Sequence, residues 1–336
     1  MSKTTRREFL SKTVLGAVGA GVALQAFRPK DLMANSQKGE RSYAAAKYGI
    51  VLDGATAGWL ESVEGGHATS DVVAEKIGAG GARKIQGVKY EDIVLTCGTG
   101  MSKGFYDWIK AAFDHQPLRK TGAIVAYDYD YKEQSRTEFT GALISEVTLP
   151  ALDAASKDAA KMTIKITPEF TRMTTQAKGA PSTMPVARAA QKKWLPSNFK
   201  LTINGLDCTR VSKIDAITVK AQAQAQQGFP GLIKGPQSLT DKPRLIVTMP
   251  EADEGSLVAW RKVSASGNLA FARKNGELEF LAPDLHEALF AVMFRGLTIA
   301  NVVPDATAAN SENIRRVKAE MSCEEMAFNF STSAWA

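Results

Sequence analysis

Ile93-Val94-Leu95-Thr96, then a turn of small residues, then Phe105-Tyr106-Asp107-Trp108: this order returns as Leu245-Ile246-Val247-Thr248 followed by Leu257-Val258-Ala259-Trp260. From Thr96 to Trp108 is 12 residues, and from Thr248 to Trp260 is 12 again. An apolar strand ending in Thr, with a helix carrying Trp at one fixed distance, twice, predicts a duplicated domain. In the first copy Phe105, Trp108, Ile109, Ala112 and Phe113 recur at helical spacing, which gives that helix one apolar face. Ser102 stands where an N-cap belongs. In the second copy Leu257 and Trp260 are three apart, and the pattern fades after Val263. Trp108 and Trp260 are the predicted core anchors of the two copies.

The duplication extends outward from this stretch. Tyr48–Leu52 is an apolar strand running into Asp53-Gly54, and Phe199–Ile203 runs into Asn204-Gly205. Both dipeptides supply the positive φ of a tight hairpin. Phe199, Leu201 and Ile203 alternate, so one face of that strand is buried. Further on, Phe139-Thr140-Gly141-Ala142-Leu143-Ile144 matches Phe294-Arg295-Gly296-Leu297-Thr298-Ile299. The separation of the copies is 151 residues at the Gly54/Gly205 turns, 152 at the Trp pair and 155 at Phe139/Phe294, a drift that short insertions produce. Strands are predicted at Gly122–Tyr127, Thr137–Leu149 and Lys161–Ile166. The last has its counterpart in Arg316–Met321. Alternating charged and uncharged residues there indicate a half-exposed sheet.

At 336 residues the chain is long enough for two domains. We divide it into a terminal segment 1–35, a linker 36–46, a first domain 47–172, a linker 173–197 rich in Gly, Pro, Ser and Thr, and a second domain 198–331. Ala187–Trp194 adds a short helix to that linker. Each domain carries a long polar arm at one place, 63–90 and 220–243. These arms read either as an interaction feature or as a loop without regular structure. Gly65, Gly66, His67 and Lys84 in the first arm, with Gln226 and Lys234 in the second, are the candidate assembly residues.

The first 35 residues differ from the rest. Thr5-Arg6-Arg7-Glu8-Phe9-Leu10-Ser11 resembles the twin-arginine export signal, with Arg6, Arg7, Phe9 and Leu10 matching and Ser11 replacing the usual Lys. Thr13 to Phe27 is uncharged and rich in Ala and Gly. Fifteen residues fall short of the roughly 20 that span a bilayer. A working signal predicts export to the periplasm or cell surface. Without one, the expected place is the cytoplasm, and the membrane is met only through this segment.

No constellation of residues for catalysis stands out in the sequence. Gly98-Thr99-Gly100-Met101-Ser102-Lys103-Gly104 sits between strand and helix, where phosphate loops sit, but it fits neither glycine fingerprint. Its own copy, Met249-Pro250-Glu251-Ala252-Asp253-Glu254-Gly255, is acidic and hostile to phosphate. His67, His115 and His286 lack ligand spacing. Asp128-Tyr129-Asp130-Tyr131 puts two acids on one face of a strand end, a weak Ca²⁺ signal outweighed by a plain charged end. Cys97, Cys208 and Cys323 do not recur between copies and read as small buried hydrophobes. The net charge of +7 comes without a dense Lys/Arg tract, so specific nucleic-acid binding is not expected. No catalytic residue, metal or cofactor is predicted.

Strand, Asp-Gly turn, strand, long arm, apolar strand, Trp helix and three closing strands together resemble the tail-tube protein family of contractile phage tails and phage-like injection systems. Asp53-Gly54, Ile93–Thr96, Asp107-Trp108 and Phe139–Ala142 carry the resemblance in the first copy, and Asn204-Gly205, Trp260 and Phe294–Ile299 carry it in the second. It implies a mainly β (α+β) chain with two tandem tube-type β-sandwich or barrel domains, each with one packed helix. It also implies a structural ring, tube, cap, adaptor or hub that works by self-assembly. Copies would join edge to edge as a trimer or hexamer, and arms would contact a stacked ring. Other tail, baseplate or sheath proteins are the further partners. The competing reading is an exported two-domain binding module, monomeric, with a cleft between its domains.

Overall fold

The computed structural model describes residues 47–77, 80–180, 194–220, 243–267, 269–305 and 314–330. Residues 44–336 form one compact unit. The first repeat begins with β1 (Lys47–Leu52) and β2 (Ala55–Gly65), joined by the Asp53-Gly54 turn, where both residues have positive φ. The arm follows as a two-stranded ribbon, β3 (Ala68–Ile77) and β4 (Gly80–Tyr90). Next come β5 (Ile93–Met101), α1 (Lys103–Phe113), β6 (Lys120–Tyr127), the long β7 (Glu133–Leu149), β8 (Leu152–Asp153), β9 (Met162–Thr167) and β10 (Phe170–Ala180).

Pairing runs β7-β6-β1-β2-β5-β9 and returns to β7, so the first repeat is a closed six-strand barrel with β10 added along β7. Closure works because β7 is 17 residues long. Its first half pairs β6 and β10, and its second half pairs β9. The change of partner falls near Gly141, at φ +64. A closed barrel leaves no raw sheet edge within that circle.

The second repeat follows the same plan: β11 (Phe199–Ile203), β12 (Lys213–Ile214), β13 (Ile217–Lys220), β14 (Arg244–Pro250), α2 (Glu254–Ala265), α3 (Leu269–Ala272), β15 (Lys274–Leu281), β16 (Ala288–Pro304), β17 (Arg316–Ser322) and β18 (Glu325–Phe330). Gly296 has φ +63, and a Cβ there would run into Glu324, just as one at Gly141 would run into Glu169. The β7–β9 register (Ile144↔Ile166, Glu146↔Lys165) is repeated by β16–β17 (Ile299↔Met321, Asn301↔Glu320), bulge included. The duplication is therefore structural down to a single irregularity. It also places Leu149 opposite Pro304 in the comparison. The copies differ at the second strand. Where the first has an 11-residue β2, the second has the two-residue β12 paired to β14, and among the described residues its barrel is open between β11 and β12.

Several sequence expectations are corrected. The strand expected to stop at Thr96 runs to Met101, and α1 starts two residues later, so no loop of phosphate-cradling length exists there. Ser102 does cap α1, its Oγ accepting the Phe105 N–H. Asp128–Tyr131 is a turn beyond β6. The Asp128 carboxylate is turned inward on the N–H groups of Asp130 and Lys132. The stretch read as a linker from 173 is β strand up to Ala180, paired with β7. The short helix expected at 187–194 lies outside the described residues except for Trp194, which is buried against Phe280 and Phe290.

Candidate functional site

The joint between the repeats is built from paired strand edges and packed aromatic rings. Its first component is backbone pairing. After β12 the chain leaves the second repeat, and β13 adds to the outer edge of β7: Ile217↔Leu149, Thr218↔Thr148, Val219↔Val147, Lys220↔Glu146. Ile-Thr-Val-Lys alternates, so Ile217 and Val219 turn inward and are buried while Thr218 and Lys220 face out. The Thr148 and Thr218 hydroxyls meet at 3.1 Å across the pair. In return β8 of the first repeat pairs β12 of the second. Lys213 lies 2.8 Å from the Asp153 carboxylate. That hydrogen bond, with the Ala155 N–H, holds Asp153 below the usual aspartate range.

The second component is aromatic. Helix α1 buries Tyr106, Ile109 and Phe113 as well as its Trp. It needs two apolar faces because it lies between its own barrel and β18 of the second repeat. Tyr106 stacks on Phe328 at 6.2 Å and 3° and meets Phe330 at 5.3 Å, and Phe113 meets Phe328 at 5.3 Å. Phe290 closes the group from beneath at 5.4 Å. The Tyr106 hydroxyl donates to the Thr99 carbonyl at 2.8 Å, and burial pushes its pKa well above the usual tyrosine value. One hydrophobic core runs through both repeats as a result.

Trp108 and Trp260 sit at matching depth, almost fully buried. Each indole N–H donates to a carbonyl just past its helix, Leu118 at 2.8 Å and Ala272 at 2.6 Å. Gly65 and Gly66 lie where β2 leaves the barrel and the arm begins. Both have φ near +80°, and Gly65 is so close to Asp92 that a side chain would meet its carbonyl. His67 is exposed on the outer side of that departure. Lys84 belongs to β4, though its side chain lies outside the described residues, as do Gln226, Lys234, Arg6, Arg7, Phe9 and Leu10 altogether. Among the described residues no three His, Cys, Asp or Glu side chains gather as metal ligands, and no helix is long and apolar enough to cross a membrane. Cys97 is fully buried, which pushes its thiol up to about 12, outside any nucleophilic range.

Residues 44–171 match the family described as T4-like virus tail tube protein gp19. That span is the first barrel with its arm. The β7–β9 register of that span is reproduced by β16–β17, so the second repeat is a structural copy of the part that matches the family. Among solved structures, similar chains include one from the PVC sheath–tube complex of an extracellular contractile injection system in the extended state. It is 18% identical, covers 44% of this chain and 99% of its own, and has a TM-score of 0.37. Another is from the anti-feeding prophage cap, at 19% identity, 38% and 88% coverage and a TM-score of 0.35. Hcp1 from Flavobacterium johnsoniae is 16% identical over 40% of this chain and 99% of its own, with a TM-score of 0.26. No curated protein matches at the sequence level.

Sequence reasoning missed the crossing of β13 to β7 and the role of Tyr106. The first had a signal in the alternation of Ile217 and Val219 at the start of the second arm. The second had one in the contrast between Tyr106-Ile109-Phe113 and Val258-Arg261-Ala265, one helix apolar on two faces and its copy on one.

Proposed function

We propose that the protein is a structural component of a phage-tail-like contractile injection apparatus, acting as ring, tube, cap, adaptor or hub by self-assembly and not by catalysis. One observation carries this reading. A domain that matches the tail-tube family is already joined, strand to strand, to a copy of its own fold within one chain. Backbone pairing between like domains is how an open β architecture extends into a ring, and symmetric closure is the common end of such extension. A trimer would present six tube-type domains, and a hexamer twelve. The β3–β4 ribbon, which stands off the barrel, is suited to reach a stacked ring or a sheath or baseplate neighbour. The Arg6-Arg7 segment directs the chain for export if it functions as a signal. Negative-stain electron microscopy of the purified protein tests the proposal. Annular particles are the expected result, and a field of isolated single chains at high concentration would overturn it.

A further inference from the structure

The turn that opens each repeat is the same turn with an acid in one copy and its amide in the other. Leu52 pairs Gly122 and Ile203 pairs Gly276, so Asp53-Gly54 and Asn204-Gly205 occupy the same place. The flanking bonds agree. The Asp53 N–H donates to the Thr121 carbonyl at 2.7 Å, and the Asn204 N–H donates to the Asn275 carbonyl at 2.9 Å. Lys120 and Lys274 each stand one residue earlier on the neighbouring strand. In the first repeat the Lys120 ammonium bonds the Asp53 carboxylate and holds its pKa below the usual aspartate range. In the second the side chain is an uncharged amide. The Lys274 ammonium, 5.6 Å from the centre of the Trp260 ring, donates instead to the Asn204 backbone carbonyl at 2.8 Å.

An Asn followed by Gly carries its own nucleophile, the next backbone nitrogen. Glycine has no Cβ to crowd the attack and adopts the backbone angles that ring closure requires. Asn204 and Gly205 are both exposed, and a Cβ built on Gly205 would meet a single atom, the Lys274 Nζ at 3.0 Å. Gly205 has φ +71, and the turn is closed by the Leu206 N–H donating to the Ile203 carbonyl at 3.0 Å.

The same dipeptide recurs at Asn275-Gly276, inside β15, in the opposite setting. Gly276 pairs Ile203 on one side and Phe294 on the other. A Cβ on it would meet the Thr202 carbonyl at 2.9 Å, Ile203 at 3.1 Å and Leu297 at 3.2 Å. The Asn275 side-chain carbonyl is itself engaged, accepting the Gly296 N–H at 3.2 Å.

We propose that Asn204 is a site of spontaneous modification, converting to aspartate and isoaspartate in the folded protein while Asn275 is spared. The Gly205 nitrogen loses its proton and attacks the Asn204 Cγ. The new Cγ–N bond closes a succinimide ring, and the Cγ–Nδ2 bond breaks as ammonia leaves with that proton. Water then opens the ring. Addition at Cγ breaks the new bond and gives aspartate. Addition at the backbone carbonyl breaks the original peptide bond and gives isoaspartate, with the chain running through the side-chain carbon. In sum, an amide and a water become a carboxylic acid and ammonia, and nothing is oxidised or reduced. The aspartate product gives the second turn the acid that the first already has, with Lys274 placed to pair it as Lys120 pairs Asp53. The isoaspartate product adds a backbone carbon to the hairpin. Either one sets the net charge one unit below the +7 of the newly made chain.

The test is incubation of the full-length protein at pH 8 in heavy-oxygen water, with folding followed by circular dichroism and both asparagines read by peptide mapping. Asn204 should convert at least about tenfold faster than Asn275, because a residue inside a ladder reacts only from locally open states. Each product should carry one heavy oxygen. After denaturation the two should convert at similar rates. Asn204→Gln should stop the conversion without changing the circular dichroism spectrum, and Asn204→Asp should fold as wild type does. Folded protein in which Asn204 stays intact, or in which both asparagines convert alike, would overturn the assignment. An Asn204→Asp chain that fails to fold would overturn the pairing of the product with Lys274.

Discussion

Phe328→Ala removes the ring on which the two repeats meet. Phe328 is fully buried and touches Tyr106 and Phe113 from the first repeat and Phe290 and Phe330 from the second. Losing a buried phenyl group costs about 3–5 kcal/mol, depending on how far the surroundings collapse into the space. Here the walls belong to a helix in one barrel and to a sheet in the other, both fixed by their own ladders, so collapse is limited and the upper half of that range applies. Part of the loss is specific to ring pairs, which contribute roughly 0.5–1.5 kcal/mol each beyond burial. A double-mutant cycle with Tyr106→Ala isolates it, since residues in contact show coupling of about 0.5–3 kcal/mol. The assay is denaturant unfolding of wild type, both single variants and the double variant, followed by tryptophan fluorescence and circular dichroism. Wild type should unfold in one transition because one core runs through both repeats. Phe328→Ala should separate that transition into two. A loss below about 1 kcal/mol, or two single losses that simply add, would refute the shared core.

Other outcomes follow from single features. Trp108→Ala should destabilise by about 3–5 kcal/mol in the same unfolding assay, because the indole is buried and its N–H bond is lost. Gly296→Ala should cost about 1–3 kcal/mol, since a side chain would be held at φ +63 against Glu324. Lys120 lowers the pKa of Asp53, so the pair adds stability above the ordinary aspartate range that is lost as pH falls through the lowered folded value. Because Asp53 is about half exposed, Asp53→Asn should cost no more than about 1 kcal/mol at pH 7, and the difference from wild type should fade under acid titration. Iodoacetamide at pH 8 should leave Cys97 unmodified in the folded protein and label it after denaturation, as peptide mass mapping would show. A reporter fused behind the first 35 residues should be exported with Arg6-Arg7 intact and retained with both changed to Lys.

The duplication was legible because each copy preserves features that one short stretch dictates. An apolar run followed by Trp at helical spacing, a turn needing positive φ at Gly54 or Gly205, and the crowded glycine at 141 or 296 all have local causes. Barrel closure was not legible, since it depends on β7 changing partners midway and nothing in its composition marks the change. The extent of β5 was misjudged because Gly98, Thr99 and Gly100 look like a turn. In the structure they form a bulge of the β2–β5 ladder, between the pairs Leu60↔Cys97 and Gly58↔Met101. The joint was the least legible part. A strand crossing between repeats leaves the same alternating pattern as one that stays. Tyr106 and Phe113 gave a clearer clue, because a helix with two apolar faces needs two partners.

The most direct test of the central claim is native mass spectrometry of the purified protein over a range of concentrations and salt. Like domains that extend through paired edges should give one closed species of three or six copies, with smaller species appearing only on dilution. A chain that remains strictly monomeric at every concentration would contradict the account.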